Sequence, residues 1–160
     1  MKLSEAMRER MLLSFELFPP KTEKGMDNLP GTIDHLMKYK PAYISCTYGA
    51  GGGNVGANRK VCQMIKKAGT TPVTHFTVIK NTKEGIKEQL DQYLAEGVDH
   101  MLALRGDIPL GETTTCGDFN YATDLVKFVR DEFGDKFEIA VAGSPEGHIA
   151  CRSLMLILQF

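Results

Sequence analysis

The sequence predicts an α/β protein built on a parallel sheet. Three observations point there. Short apolar runs rich in β-branched and aromatic residues alternate with longer stretches whose apolar residues recur at helical spacing. Each strand-plus-helix unit takes about 30 residues, the length a helical crossover between parallel strands requires. Glycine or proline stands at most of the junctions. Two architectures satisfy this pattern, a (β/α) barrel and an open doubly wound sheet. Both place functional groups at the C-terminal ends of the strands.

Taken in order, residues 1–11 read as a short amphipathic helix with Met7 and Met11 at i, i+4. A first strand over Leu13–Phe18 is stopped by Pro19 and Pro20. A helix near 28–39 follows, capped by Asp27 or Asn28, with Pro30 in its first turn and Leu29, Ile33, Leu36 and Met37 inward. The second strand is Tyr43–Tyr48. After a glycine-rich loop comes a helix with Val61, Met64, Ile65 and Ala68 on one face, ended by Gly69. Pro72–Val78 is the third strand. Thr82 caps a helix carrying Ile86, Leu90, Tyr93 and Leu94, which stops at Gly97. The fourth strand is His100–Leu104, and a polar loop spans 105–118. Ala122, Leu125, Val126, Val129 and Phe133 mark the next helix, and Phe137–Ala142 the fifth strand.

The totals narrow the function classes. The chain has 160 residues, enough for one domain with a core; 42% are hydrophobic and 24% charged, as in an ordinary soluble protein. A net charge of −1 gives no basic footprint for nucleic acid. No apolar run approaches the roughly 20 residues of a membrane span, and the charged N-terminus lacks the apolar stretch of a signal peptide. The four cysteines show neither CxxC nor zinc spacing. A cytoplasmic chain with reduced thiols and no metal site is expected.

The strand ends carry the chemistry. Glu16 lies on the face of its strand opposite Leu13, Phe15 and Leu17. Desolvation between aromatics would raise its pKa and suit it to general-acid work; an edge-strand carboxylate facing solvent or paired with lysine is the plainer alternative. Gly51-x-Gly53-x-x-Gly56 fits a dinucleotide fingerprint by letter. The next strand, however, lacks the carboxylate such a site uses, and Ala57-Asn58 stands where a phosphate-binding loop needs Lys-Ser/Thr. A pliable loop that lets backbone approach a ligand is the simpler reading. In Arg105-Gly106-Asp107, Arg105 can bind phosphate or ribose, Gly106 permits close backbone approach, and Asp107 can accept from the N–H groups of a heterocycle. The alternative is an Arg–Asp pair on the rim. His75, inside an apolar strand, reads by itself as a core histidine. His148 follows Pro-Glu-Gly with too few neighbours for a metal site. No nucleophile stands out, since Cys46 lies within a strand.

The stretches SFELFPPK at 14–21, ISCTYGAGG at 44–52, THFTV at 74–78, LALRGDIP at 102–109 and SPEGH at 144–148 resemble, in order and spacing, the methylenetetrahydrofolate reductase family. The resemblance covers about 12–150. It implies a (β/α)8 TIM barrel with FAD at the C-terminal ends of the strands. NADH or NADPH would reduce the flavin, and the folate would then receive a hydride to give 5-methyltetrahydrofolate, a step of one-carbon metabolism that feeds methionine synthesis. Glu16 would be the general acid that helps open the folate's five-membered ring. Asp107 would contact the pterin and tune the flavin. Thr47, Tyr48, Ala50, His75, Arg105, Gly106, Tyr121 and His148 would line the flavin or nicotinamide site.

The sequence departs from the family pattern in three places. Ser144 stands where an aromatic residue is frequent, HFTV replaces HLTC in the third strand, and the tail from Leu154 to Phe160 turns apolar. A closed eightfold barrel takes about 250 residues. The five units counted here therefore predict a single partial barrel domain over 1–160, interrupted after about residue 153 and prone to homo-oligomerise through open sheet edges. A non-catalytic flavin- or folate-binding half-barrel and an inactive fragment are the alternatives.

Overall fold

The computed structural model describes residues 2–48, 55–108 and 110–143. The elements alternate as expected: α1 (Leu3–Glu9), β1 (Ser14–Leu17), α2 (Glu23–Met37), β2 (Tyr43–Cys46), α3 (Val55–Lys67), β3 (Thr71–Thr77), α4 (Lys83–Ala95), β4 (His100–Leu104), α5 (Ala122–Phe133) and, after one 3-10 turn, β5 (Glu138–Val141). The strands form one parallel sheet in the order β1-β2-β3-β4-β5. That order decides between the two architectures. A doubly wound sheet reverses direction at a switch point and carries helices on both faces. Here every strand lies beside its sequence neighbour, so crossovers of one hand place all the intervening helices on one face. The fold is a partial TIM barrel, with β1 and β5 at its edges among the described residues.

Side-chain alternation sorts the two faces. Ile44, Cys46, Phe76, Met101 and Ala103 point into the helix layer and meet Ile33, Val61, Ile65, Leu90 and Val129 in one core. Phe76 is fully buried between Tyr48 and Tyr93, with ring centroids 5.2 and 6.3 Å away. Burying a ring of this size contributes about 1.5–3 kcal/mol. Phe15 and Leu17 pack on the same core, as the alternation predicts, while Leu13 is half exposed before the strand begins.

Two helix boundaries differ from expectation. α2 begins at Glu23, with the Thr22 side-chain oxygen accepting the Gly25 N–H at 3.1 Å. Pro30 therefore lies inside the helix instead of in its first turn. A proline there forgoes one helical hydrogen bond. The helix continues through it because Met26, Leu29 and Ile33 form one stripe against the core. α1 ends at Glu9, so Met11 lies outside it and is fully exposed; Ala6 is the residue that α1 buries. Thr82 caps α4 as expected, accepting from Gly85 N–H at 3.1 Å. At its far end Gly97 takes φ +70, and Val98 N–H reaches Tyr93 O at 2.8 Å, closing the last turn.

α1 lies at the N-terminal ends of the strands. The Leu3 and Ser4 N–H groups donate to the Glu138 carboxylate at 2.8 and 2.5 Å, joining residues 134–135 positions apart. This contact makes α1 the floor of the concave side of the sheet. Among the described residues, no helix is long and apolar enough to cross a membrane.

Candidate active site

The concave face encloses a cavity of about 530 Å³, whose lining includes Glu16, Ser45, His75, Leu102 and Ala140, with Met7 and Glu138 towards the floor. A space of this size accommodates a small-molecule ligand. A separate depression on α4, bordered by Glu84, Lys87, Glu88 and Asp91, is a solvated helix face.

Within the cavity the sheet brings together two residues that the sequence places 59 positions apart. His75 Nε2 lies 3.5 Å from Glu16 Oε2. Their strands flank β2, so their backbones are separated by two strand spacings, roughly 9–10 Å. The register sets Glu16 beside Ser45, and Ser45 beside Val73. The small Ser45 side chain leaves room for the longer ones on either side to converge. Glu16 is half exposed, its side chain 48% accessible, whereas the His75 side chain is only 10% accessible. The desolvated carboxylate expected from the flanking aromatics is therefore not what forms: Phe15 turns into the helix layer and Phe18 is exposed. The buried partner is the histidine. Burial lowers the His75 pKa below its ordinary 6.5, and the nearby Glu16 charge opposes this in part. The neutral ring presents to Glu16 either an Nε2–H, which a carboxylate accepts, or a lone pair, which a carboxylic acid donates to.

The other expected site residues fall into four groups. Thr47 and Arg105 are half-buried at the ends of β2 and β4. Arg105 Nε donates to Gly106 O at 3.2 Å. Gly106 has φ +81, and a Cβ there would lie 2.6 Å from Ile79 Cγ1 and 3.1 Å from Thr77 Cβ. This glycine is required by packing against the end of β3. Asp107 and Tyr121 are exposed, Tyr121 as the residue before α5, where Asp124 accepts its N–H at 2.9 Å. Tyr48 points away from the cavity. It is buried against Phe76, its hydroxyl donates to Gln89 Oε1, and burial pushes its pKa up to about 12. Any part Tyr48 plays in the cavity falls to its backbone. Ala50 and His148 lie outside the described residues. Contact with Cys62, then burial, pushes the Cys46 thiol upward, so it stays protonated and is no nucleophile.

Several polar residues around this site were not anticipated from the sequence. Thr77, on the same strand face as His75, has a buried hydroxyl with no partner among the described residues. Asn81 Nδ2 holds Thr77 O and Ile79 O at 3.0 and 3.1 Å, and its Oδ1 accepts from Gln89 at 3.1 Å. Asn58 is fully buried at the end of β2. At the floor, His100 lies 2.7 Å from Asp99 and 3.0 Å from Glu138. Alternation could have found the floor pair, because His100 and Glu138 open their strands in the inward phase. Nothing in the spacing marks Asn58 or Asn81.

A partial (β/α) barrel with Thr47 and Arg105 at the C-terminal ends of its strands, above a concave-face cavity that runs from Glu16 and His75 down to the first residues of the strands, is the architecture of a barrel enzyme. The chain belongs to the methylenetetrahydrofolate reductase family, whose model matches residues 2–159. It is 37% identical over 152 residues to a probable methylenetetrahydrofolate reductase (NADH) of Oryza sativa subsp. japonica, covering 92% of this chain and 26% of that protein. Against methylenetetrahydrofolate reductase (NADH) 1 of Arabidopsis thaliana it is 37% identical over 139 residues, 84% of this chain and 24% of the relative. With the 5,10-methylenetetrahydrofolate reductase of Pectobacterium carotovorum it shares 36% over 148 residues, 92% and 48% of the two chains. The chain thus spans between a quarter and a half of the length of these curated relatives.

Proposed function

We propose that this chain carries the proton-donating half of a reductase site that converts 5,10-methylenetetrahydrofolate to 5-methyltetrahydrofolate with FAD and NADH or NADPH. The Glu16–His75 pair in the cavity supports this most directly, set in a chain whose relatives are named for that reaction. The described residues fit a flavin. The unpartnered Thr77 hydroxyl offers a hydrogen bond to a ligand edge, and Thr47 and Arg105 stand at neighbouring strand ends. When bound, FAD would supply hydride transfer.

The chain's own residues would supply binding and the proton. Glu16 would deliver a proton to the folate ring nitrogen as its bond to the methylene carbon breaks. His75 would hold the carboxyl group in place and take up or return a proton at Nε2. Arg105 would hold a phosphate or ribose of a nucleotide ligand, and Asp107 would accept N–H donors from the pterin.

The test is titration of the purified chain with FAD, followed by absorbance near about 450 nm, then addition of NADH or NADPH and then the folate. Saturable FAD binding, bleaching by nicotinamide and folate-dependent recovery of colour are expected. Binding with no bleaching would reduce the chain to a flavin-binding module, and no binding would reject the reading.

A further inference from the structure

We infer that Asn81 is a positioning residue: it holds the end of β3 against Leu104–Gly106 at the end of β4, and so sets Arg105 and Gly106 for a ligand in the site. The inference rests on the flavin-site reading for its ligand, but not for its geometry. Pairing of β3 with β4 ends at Thr77, opposite Leu104. One residue on, Val78 N–H is shared between Leu104 O and Arg105 O, at 3.3 Å from each. Such contacts are long for an N–H···O bond, so the ladder weakens where the site residues begin. Asn81 supplies what the ladder does not. Its Nδ2 donates to Thr77 O at 3.0 Å and to Ile79 O at 3.1 Å. Thr77 and Ile79 are the same two residues that pack on Gly106, whose absent Cβ would lie 3.1 Å from Thr77 Cβ and 2.6 Å from Ile79 Cγ1. The orientation of the amide is not a free choice. The two carbonyls only accept, so they require the nitrogen, and the oxygen is left for Gln89 Nε2, which donates to it at 3.1 Å. Gln89 Oε1 in turn accepts from the Tyr48 hydroxyl. Through Gln89 the contact is braced by α4.

The turn that presents Asn81 is itself imposed. Lys80 takes φ +56 although it is not glycine, a conformation that persists only where the surroundings enforce it. Residues 115–118 do so. Lys80 N–H donates to Thr115 O at 2.8 Å, Asp118 N–H to Asn81 O at 3.1 Å, and Lys83 N–H to Asp118 Oδ2 at 2.9 Å. Gly117 lies against the same backbone: a Cβ there would stand 2.5 Å from Asn81 O. With its main chain held from that side, Asn81 has its side chain directed at the strand end. A rim held in place before a ligand arrives loses less entropy on binding it.

The test compares Asn81→Asp with Thr82→Ala. The aspartate keeps the shape and the acceptor for Gln89 but turns an oxygen on Thr77 O and Ile79 O. The alanine removes the cap of α4 one residue along, a loss of stability that leaves the end of β3 held. Hydrogen exchange is read across peptides covering 76–79 and 104–107, and FAD affinity by titration. Asn81→Asp is expected to speed exchange in both peptides about tenfold or more beyond any change elsewhere, and to weaken FAD binding by about the same factor. A protonated carboxyl can donate to one of the two carbonyls, so the affinity deficit against wild type is expected to narrow between about pH 8 and about pH 5. Thr82→Ala is expected to show none of these effects. Wild-type exchange in 104–107, or wild-type affinity, in folded Asn81→Asp would overturn the inference, as would the same loosening in Thr82→Ala. A deficit that does not change with pH would show that the missing donor is not its cause, and would overturn the inference too. If Asn81→Asp does not fold, Asn81→Ala, which removes the donor and adds no charge, is read in its place against exchange and affinity. If wild type binds no FAD, the flavin reading falls while the exchange comparison still decides whether Asn81 holds the end of β4.

Discussion

The two ends of the sheet are built from similar side chains and handle them in opposite ways. At the floor, the Glu138 carboxylate accepts two backbone N–H groups from α1 and faces His100, which also meets Asp99. Burial opposes ionisation of Glu138, but the donors from Ser4 and Leu3 outweigh it and its pKa falls below the usual 4.5. At the rim, Glu16 meets one histidine at 3.5 Å and is otherwise half open, and Thr77 keeps a buried hydroxyl without a partner among the described residues. The Glu138 carboxylate at the floor is held by partners within the chain, although the buried His100 Nε2 beside it makes no hydrogen bond among the described residues, whereas the rim carboxylate has a single neighbour. Partners within the chain hold a carboxylate in its charged form and fix it; the lack of them leaves a carboxylate able to exchange a proton with something outside the chain. The same Glu–His chemistry thus serves stability at one end and is available for function at the other, as the barrel architecture leads one to expect.

Substitution at each end is the most direct way to break this contrast. Glu16→Gln is expected to lower folate reduction by about 10²-fold or more, because the amide cannot donate the required proton. FAD binding and NADH oxidation with an artificial acceptor should persist, and the melting temperature should hold, since Glu16 has few partners to lose. Equal loss in both half-reactions, measured by stopped-flow absorbance, would remove Glu16 from the proton-donor role. At the floor the pattern should invert. Glu138→Ala strands two N–H groups at the start of α1 and should cost about 1–3 kcal/mol in chemical denaturation. FAD affinity should stay unchanged. A Glu138 variant that melts normally but loses the ligand would mean that the floor belongs to the site.

The sequence showed the sheet clearly and the site in part, for a physical reason. Strand and helix stripes such as Ile44, Phe76 and Leu90 are local periodicities, and five units in series leave few topologies. The sequence points to too late a start for α2 because Pro30 is a strong local signal, whereas the stripe running through it to Met26 acts through the core. Glu16 was legible as a carboxylate at a strand end, but its surroundings were not, because the convergence on His75 depends on sheet curvature and on Ser45 between them. Tyr48 lies in a motif that draws attention to the cavity, yet its ring serves the core. Asn58 and Asn81 are ordinary letters in helix and loop; their roles arise only when strand ends run out of ladder partners.

The smallest expected effect is also the finest probe of the contrast, because it separates the two ends by pH. His75 is buried and its folded pKa lies below 6.5, chiefly through desolvation. In the unfolded chain it takes up a proton near its ordinary value, while the folded chain refuses one. The unfolded state therefore binds more protons as pH falls through about 6.5, and stability drops, with a slope of up to about 1.4 kcal/mol per pH unit until the folded pKa is passed. Above that window the contribution is fully present. Glu138 acts on the same side but lower down: its folded pKa is depressed, so its contribution is present above 4.5 and is lost as pH falls through the folded value. Melting temperatures of wild type and His75→Gln, measured between about pH 5 and pH 8, should draw apart as pH changes across the histidine window, with wild type losing more on acidification. Glu16→Gln sharpens the result: without the carboxylate that favours its protonated form, His75 should titrate lower still, and the acid loss should extend further down. A wild-type minus His75→Gln difference that stays constant over the whole range would show that the histidine is not held neutral by burial, and one that favours wild type more on acidification would show that it is held charged beside Glu16.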